Sequence, residues 1–310
     1  MELFDQSVLS ALTDVEFVTA RPLSGGLSNR CWVLELRHHI PLHKPDSFPP
    51  SLRSTSQPTT STIHQYVWRP NAASSRAFGV SRQHEYQILS LIQSQHVAPA
   101  PYRLLESGLL VEWVIGQVVE EEQAALSDKT KQRPLLSDVD LMVLQARVHR
   151  LPVPAWRLDV KSKAEHYWQF IPEHVKTPLL QSVYADFQHK ALPISFADTC
   201  CHHDLGRYNI IQTEDGGYKI IDWEYAAAGD PSLDLALTIN ANRLDPLMAV
   251  NAYCSALQIT GTQAWHNAVV LWQPWCEFLA LLWFLVGAEL WQDDRYTEQA
   301  LQLLVTLTDN

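Results

Sequence analysis

Residues 200–224 read CCHHDLGRYNIIQTEDGGYKIIDWE, and this stretch decides the fold. It holds His202-x-Asp204, then Asn209 five positions beyond Asp204, then Asp222. Two apolar runs of strand composition, Asn209 to Gln212 and Tyr218 to Asp222, flank the turn Thr213-Glu214-Asp215-Gly216-Gly217. A hairpin there folds Asp222 back toward Asp204 and Asn209. Three oxygen-bearing side chains then meet at one place. Phosphoryl transfer needs such a set. One carboxylate takes the proton of an attacking hydroxyl, while a carboxamide and a second carboxylate hold Mg2+ on the phosphates of ATP. His-x-Asp alone would read as a capped turn or a surface ion pair. The ordered spacing of histidine, aspartate, asparagine and second aspartate around a Gly-Gly hairpin carries the reading, against the plain alternative of an acidic hairpin without chemistry.

The segment resembles the catalytic and metal-binding segments of the aminoglycoside phosphotransferase and choline kinase superfamily, small-molecule relatives of the protein kinases. The family pattern is His-x-Asp-x-x-x-x-Asn followed by Ile-Asp-Phe/Trp-Glu. This chain has His202, Asp204 and Asn209, then Ile221-Asp222-Trp223-Glu224. The likeness runs from Leu23 to about Trp291. Within the superfamily it is nearest to the thiamine kinases, through Ile221 to Ala226 and the late Pro274-Trp275 beside a Trp-Phe cluster.

Composition narrows the alternatives. The chain has 310 residues, enough for two lobes, and 46% hydrophobic against 18% charged residues marks it as globular. A net charge of −11 argues against nucleic acid and anionic membrane as partners, and suits a cationic small substrate. The five scattered cysteines imply no disulfide framework, and the adjacent Cys200 and Cys201 are poorly spaced to share one tetrahedral zinc. The acidic N-terminus lacks the basic start of a signal peptide. The apolar run from Phe278 to Gly287 is too short to span a bilayer, so the expected compartment is the cytoplasm, where ATP is available.

Strands are expected over 17–23 and 30–36, enclosing Ser24-Gly25-Gly26-Leu27-Ser28-Asn29. A Gly-Gly turn lets backbone N–H groups approach phosphates, and these six residues resemble the nucleotide loop of choline kinases. No Walker A pattern occurs in the sequence. Residues 38–65, rich in Pro, Ser, Thr and His, read as a long inserted loop. Tyr66 to Arg69 is a short strand. The resemblance gives its Arg69 the phosphate-gripping role that protein kinases assign to lysine. Residues 81–94 have helical periodicity, and there Glu85 resembles the glutamate that orients the strand-three cation. A hairpin over 102–114 closes a five-stranded sheet. Its end, Glu112-Trp113-Val114, resembles the hinge whose backbone meets adenine.

Beyond residue 138 the sequence is mainly helical. His149 reads as a core or capping residue. Trp265, Trp272, Trp275 and Trp283 lie in one aromatic-rich segment. At helical spacing they are either core or an aromatic wall for a cation, with Trp275 and Trp283 the candidates for substrate.

The expected architecture is therefore α+β, a two-lobed protein-kinase-like fold. A small antiparallel-sheet lobe, 1–114 with the 38–65 insert, precedes a larger, mainly helical catalytic lobe, 115–310. The resemblance implies ATP between the lobes and Mg2+ on Asn209 and Asp222. It makes Asp204 the catalytic base, with His202 bracing its loop. Asp234 supports the loop, and Glu224 lies near metal or substrate. The implied activity is phosphorylation of a small-molecule alcohol, with thiamine first and choline, an aminoglycoside or a sugar as alternatives. A non-catalytic nucleotide-binding pseudokinase is the reading from another class.

Overall fold

The structure, a computed structural model, describes residues 7–23, 31–41, 59–119 and 136–309. The Ser24 to Asn29 loop, most of the 38–65 insert and the acidic run Glu120 to Glu122 lie outside the described residues. The chain divides into two compact units, Met1–Ala72 with Ala100–Trp113, and Ala73–Pro99 with Val114–Asn310.

The first unit is an antiparallel sheet. It comprises β1 (Glu16–Pro22), β2 (Trp32–Pro41), β3 (Thr59–Pro70), β4 (Pro101–Leu105) and β5 (Gly108–Glu112), in the order β1-β2-β3-β5-β4. Leu34, Leu36, Trp68 and Leu110 bury one face, packed with Val8 and Leu12 from the N-terminal segment that carries the short helix α1 (Ser7–Ser10). β2 and β3 run further than the sequence reading allowed. His38 to Pro41 and Thr59 to Gln65, taken above for loop, pair as strand. Thr59, Thr60, Thr62 and Ile63 are β-branched and suit a pleated ladder, whereas the prolines and serines lie mainly in 42–58. The extension is tied by Tyr66, whose hydroxyl meets His38 Nε2 at 3.0 Å and whose ring stacks on Tyr102 at 4.3 Å.

The second unit begins with α2 (Ala73–Ala77) and α3 (Arg82–Ile92), the latter capped by Ser81. A strand β6 (Gly116–Val118) joins the hairpin of β8 (Ile210–Thr213) and β9 (Tyr218–Ile220) in a three-stranded sheet. β7 (Thr199–Cys201) pairs with β10 (Ala227–Gly229). Around these lie α4 (Asp138–Val148), α5 (Val160–Phe170), α6 (Pro178–His189), α7 (Pro231–Ala241), α8 (Pro246–Leu257), α9 (Thr262–Trp291) and α10 (Asp294–Asp309). Thr177-Pro178, Asp230-Pro231 and Asp245-Pro246 open three of them, each with a capping side chain followed by proline in the first turn.

α9 has 30 residues, longer than the apolar run Phe278 to Gly287 within it, and is long and apolar enough to cross a membrane by length and composition, a test that a buried core helix also passes. Its buried Trp272, Phe278, Leu282 and Val286 face the other helices, as in the central helix of a packed bundle.

The sheet yields a test at Gly108, where β5 turns against β3. A Cβ there would meet the Arg69 carbonyl oxygen at 2.4 Å and the Trp68 ring at 2.6 Å. Gly108→Ala should lower stability by about 1–3 kcal/mol, because neither backbone nor a buried indole can yield freely. An unchanged urea midpoint would contradict this register.

Candidate active site

The segment around Asp204 is organised from beneath by one carboxylate. Asp230 caps α7 by accepting from the Ser232 N–H at 2.8 Å, which sets Asp234 in the helix's first turn. Asp234 is fully buried. Its Oδ2 accepts from the His202 N–H at 3.0 Å, Gln145 Nε2 at 2.7 Å and His149 Nε2 at 2.9 Å. Its Oδ1 accepts from the His203 N–H at 2.6 Å. Tyr253 lies 2.6 Å from His149 Nδ1, so its hydroxyl donates there and leaves the Nε2 hydrogen for Asp234. Burial alone would raise the Asp234 pKa. The hydrogen bond from His149 and the surrounding imidazoles outweigh burial and hold it well below the usual carboxylate range.

Above this anchor, His203 adopts a left-handed conformation, φ 61°, and the chain turns into Asp204. The His202 ring is buried, edge-on to Trp223, and donates from Nε2 to the Ile221 carbonyl at 3.0 Å. That bond ties the Asp204 loop to the residue before Asp222. The ladder Ile210↔Ile220 continues as Ile221 N–H to Asn209 O, 2.9 Å, so the hairpin brings Asn209 and Asp222 side by side. Asp222 is itself left-handed, φ 63° and ψ 57°. For a non-glycine residue this conformation costs about 1–3 kcal/mol and marks a site the surrounding structure enforces.

Asn209 is hydrogen-bonded to Asp204, and the charge of Asp222 is felt there. Asn209 Nδ2 donates to the Asp204 backbone oxygen at 2.9 Å and to Asp204 Oδ2 at 3.0 Å, which leaves the carboxamide oxygen as its available ligand atom. Tyr208 donates to Asp204 Oδ1 at 2.5 Å. Burial, followed by the charges of Asp222 and Glu224, pushes the Asp204 carboxyl up to about 8, against the hydrogen bonds from Tyr208 and Asn209. Crowded carboxylates with a carboxamide oxygen fit a hard divalent cation such as Mg2+, whose charge relieves the repulsion among them.

Glu224 is held differently. Its Oε2 accepts from Arg82 Nη1 at 2.8 Å, and the same Nη1 donates to Glu85 at 2.6 Å, all three side chains being buried. Arg82 on α3 therefore joins two of the expected site residues. Nothing in the motif pointed to it. Arg69 stands on β3 in the other unit, beside the Gly108 turn. At the expected hinge, the Glu112 carboxylate accepts from the Ala100 N–H at 3.0 Å and the Trp113 N–H donates to the Gln65 carbonyl at 3.2 Å. Val114 opens the second unit's next segment.

The two tryptophans part company. Trp275 takes the core alternative: it is 4% exposed and packs edge-on to Phe187, between Trp272 and Phe278. Trp283 is half-buried, stacks on Phe78 and donates to the Tyr225 hydroxyl at 3.3 Å. The elements of chemistry the sequence reading missed are Tyr208, Gln145, Arg82, Lys163, Tyr167 and Tyr225. Tyr208, inside the motif, and Tyr225, within Ile221 to Ala226, had positions that could have flagged them.

Comparison with known proteins bears on the family and the fold. The family model for the phosphotransferase enzyme family matches residues 19–268. A thiamine kinase from Salmonella paratyphi B is 30% identical over 150 residues, 48% of this chain and 54% of that protein. The chain thus spans about half the length of such curated relatives. Choline kinase LicA from Streptococcus pneumoniae shares the fold at TM-score 0.69 and 17% identity over 98% of each chain, and it has also been solved with AMP. A GDP complex of aminoglycoside 2'-phosphotransferase-IIIa matches at TM-score 0.57 and 14% identity, covering 98% of this chain and 96% of that one. Both neighbours share the kinase-like α+β fold.

Asp234→Asn should expose the anchor's weight. It removes the buried anion from four donors, and breaking such a network costs about 3–5 kcal/mol. Because the folded-state pKa is depressed, the wild-type advantage is full above about pH 4 and is lost as pH falls further toward that depressed value. Unfolding midpoints of the two proteins at pH 7 and pH 3 would show it; equal midpoints at pH 7 would contradict it.

Proposed function

The chain belongs to the phosphotransferase enzyme family, and on that premise we propose that it is an ATP-dependent kinase of a small-molecule alcohol, with thiamine the first candidate. The observation that supports the reading is the Asn209–Asp204 hydrogen bond beside a hairpin ladder that sets Asp222 next to Asn209. The thiamine assignment rests on the sequence likeness to thiamine kinases and on the aromatic and acidic surroundings of Asp204. Arg69 and the Ser24 to Asn29 loop remain the proposed nucleotide contacts, and the cytoplasm is the compartment this chemistry implies.

Asp204 receives the substrate hydroxyl. Its two oxygens are oriented by Tyr208 and Asn209, so the carboxylate cannot rotate away from the incoming alcohol. Burial raises the Asp204 carboxyl, which favours its taking up the hydroxyl proton. The Asn209 carboxamide oxygen and the Asp222 carboxylate would hold the cation. Mg2+, when bound, supplies charge neutralisation at the phosphate oxygens. His202 and Asp234 keep the Asp204 loop and the Asp222 turn in register. Glu224 is held back by Arg82 and contributes negative charge near the hydroxyl.

The test is ADP formation from Mg-ATP with thiamine, choline, an aminoglycoside or a sugar as the only acceptor. Thiamine should turn over fastest. A faster rate with another alcohol would leave the kinase and replace its substrate; no ADP above background with any acceptor would favour the pseudokinase. In the same assay Asp204→Asn should cut turnover by about 10²–10⁴-fold.

A further inference from the structure

A cation already occupies the aromatic corner beside the catalytic loop. Lys163, in the first turn of α5, reaches inward. Its Nζ donates to the Phe78 carbonyl at 2.5 Å and to the Gly79 carbonyl at 3.3 Å. It stands 4.8 Å from the centre of the Tyr225 ring and 5.1 Å from that of Tyr167. The corner is continuous with the reacting groups. Tyr225 follows Asp222 by three residues, and its carbonyl accepts from the ring of His203, the neighbour of Asp204, at 3.2 Å. Tyr225 also accepts from Trp283. Tyr167 bonds to Tyr225 and feels the charges of Asp204 and Glu224.

Aromatic faces backed by carboxylates are the chemistry that recognises an organic cation. Here the seat is filled by the chain itself. The lysine is no casual visitor: two carbonyls hold its ammonium, and Gly79, left-handed at φ 60°, presents the second of them from the turn before α3. A Cβ at Gly79 would press on the Lys163 ammonium at 3.3 Å and the His166 ring at 3.0 Å, so the turn is fitted to this arrangement.

We propose that Lys163 is a specificity-determining residue that excludes compact quaternary-ammonium alcohols from this site. The inference rests on the reading of Asp204 as the group that receives the alcohol. In choline the positive nitrogen lies two carbons from the hydroxyl. With that hydroxyl at Asp204, a trimethylammonium that sought the Tyr225 and Tyr167 faces would meet the Lys163 ammonium already lying over them, and like charges there repel. In a hydroxyethyl-substituted cationic ring such as thiazolium, the charge is delocalised and lies further from the hydroxyl. Such an alcohol can reach Asp204 without displacing the lysine.

The experiment titrates choline and tetramethylammonium against the full-length protein, following tryptophan fluorescence and calorimetric heat. Wild type should show no saturable binding tighter than about 10 mM. Lys163→Met, which keeps the chain length and removes the charge, should bind both at least about tenfold more tightly, since the vacated aromatic faces regain a cation. Lys163→Arg should stay as resistant as wild type. Should Lys163→Met not fold, Lys163→Gln, which keeps a donor for Phe78, carries the same comparison. Saturable millimolar binding of choline to wild type, or a folded neutral variant with no gain, overturns the proposal. The outcome is separable from the enzyme reading. A failed kinase assignment gives no ADP with any alcohol, whereas failure here leaves thiamine turnover intact and changes only the choline arm.

Discussion

The site depends on one buried anion. Asp234 sits in the first turn of α7 with four donors directed at it, two of them the backbone N–H groups of His202 and His203. A buried carboxylate without partners would protonate or unfold the segment. With them it stays ionised and fixes the backbone immediately before Asp204. The remote partners matter as much as the local ones. Gln145 and His149 come from α4 and its end, and Tyr253 from α8, so the loop is positioned by helices distant in sequence.

On the other side of that loop the charge problem is reversed. Asp204, Asp222 and Glu224 crowd together, and burial with mutual repulsion raises the Asp204 carboxyl to about 8. Arg82 answers part of this by binding Glu224 and Glu85 together. The remainder is what the proposed cation would offset. The left-handed Asp222 is held by the hairpin ladder on one side and by the buried Trp223, whose indole donates to the Ile220 carbonyl, on the other. Strain, repulsion and burial therefore meet where the chemistry is proposed, while the surrounding network stabilises the arrangement.

Much of this was legible in the sequence because the motif is local. The spacing of Asp204, Asn209 and Asp222 around a Gly-Gly turn is set by hairpin geometry, and the ladder Ile210↔Ile220 realises it. The five-stranded sheet and the helices after residue 138 followed from composition and periodicity. What could not be read came from tertiary contacts. Arg82 looks like any helix-start arginine until Glu224 folds onto it. Lys163 looks like a surface lysine until Phe78 and Tyr225 enclose it. Trp275 and Trp283 share one helix, but Phe187 covers the first and Tyr225 claims the second. The extended ends of β2 and β3 were hidden by histidines and threonines that pair only because each strand supplies the other's partners.

The central claim is that Asn209 and Asp222 are brought together to hold a divalent cation against a nucleotide's phosphates. It is tested most directly by a crystal structure with Mn2+ and a non-hydrolysable ATP analogue, using the anomalous signal of the metal. The account predicts a peak bound by the Asn209 carboxamide oxygen and the Asp222 carboxylate at about 2.1–2.2 Å, with Asp204 facing the terminal phosphate. A fully occupied nucleotide whose metal is coordinated by neither residue would contradict it.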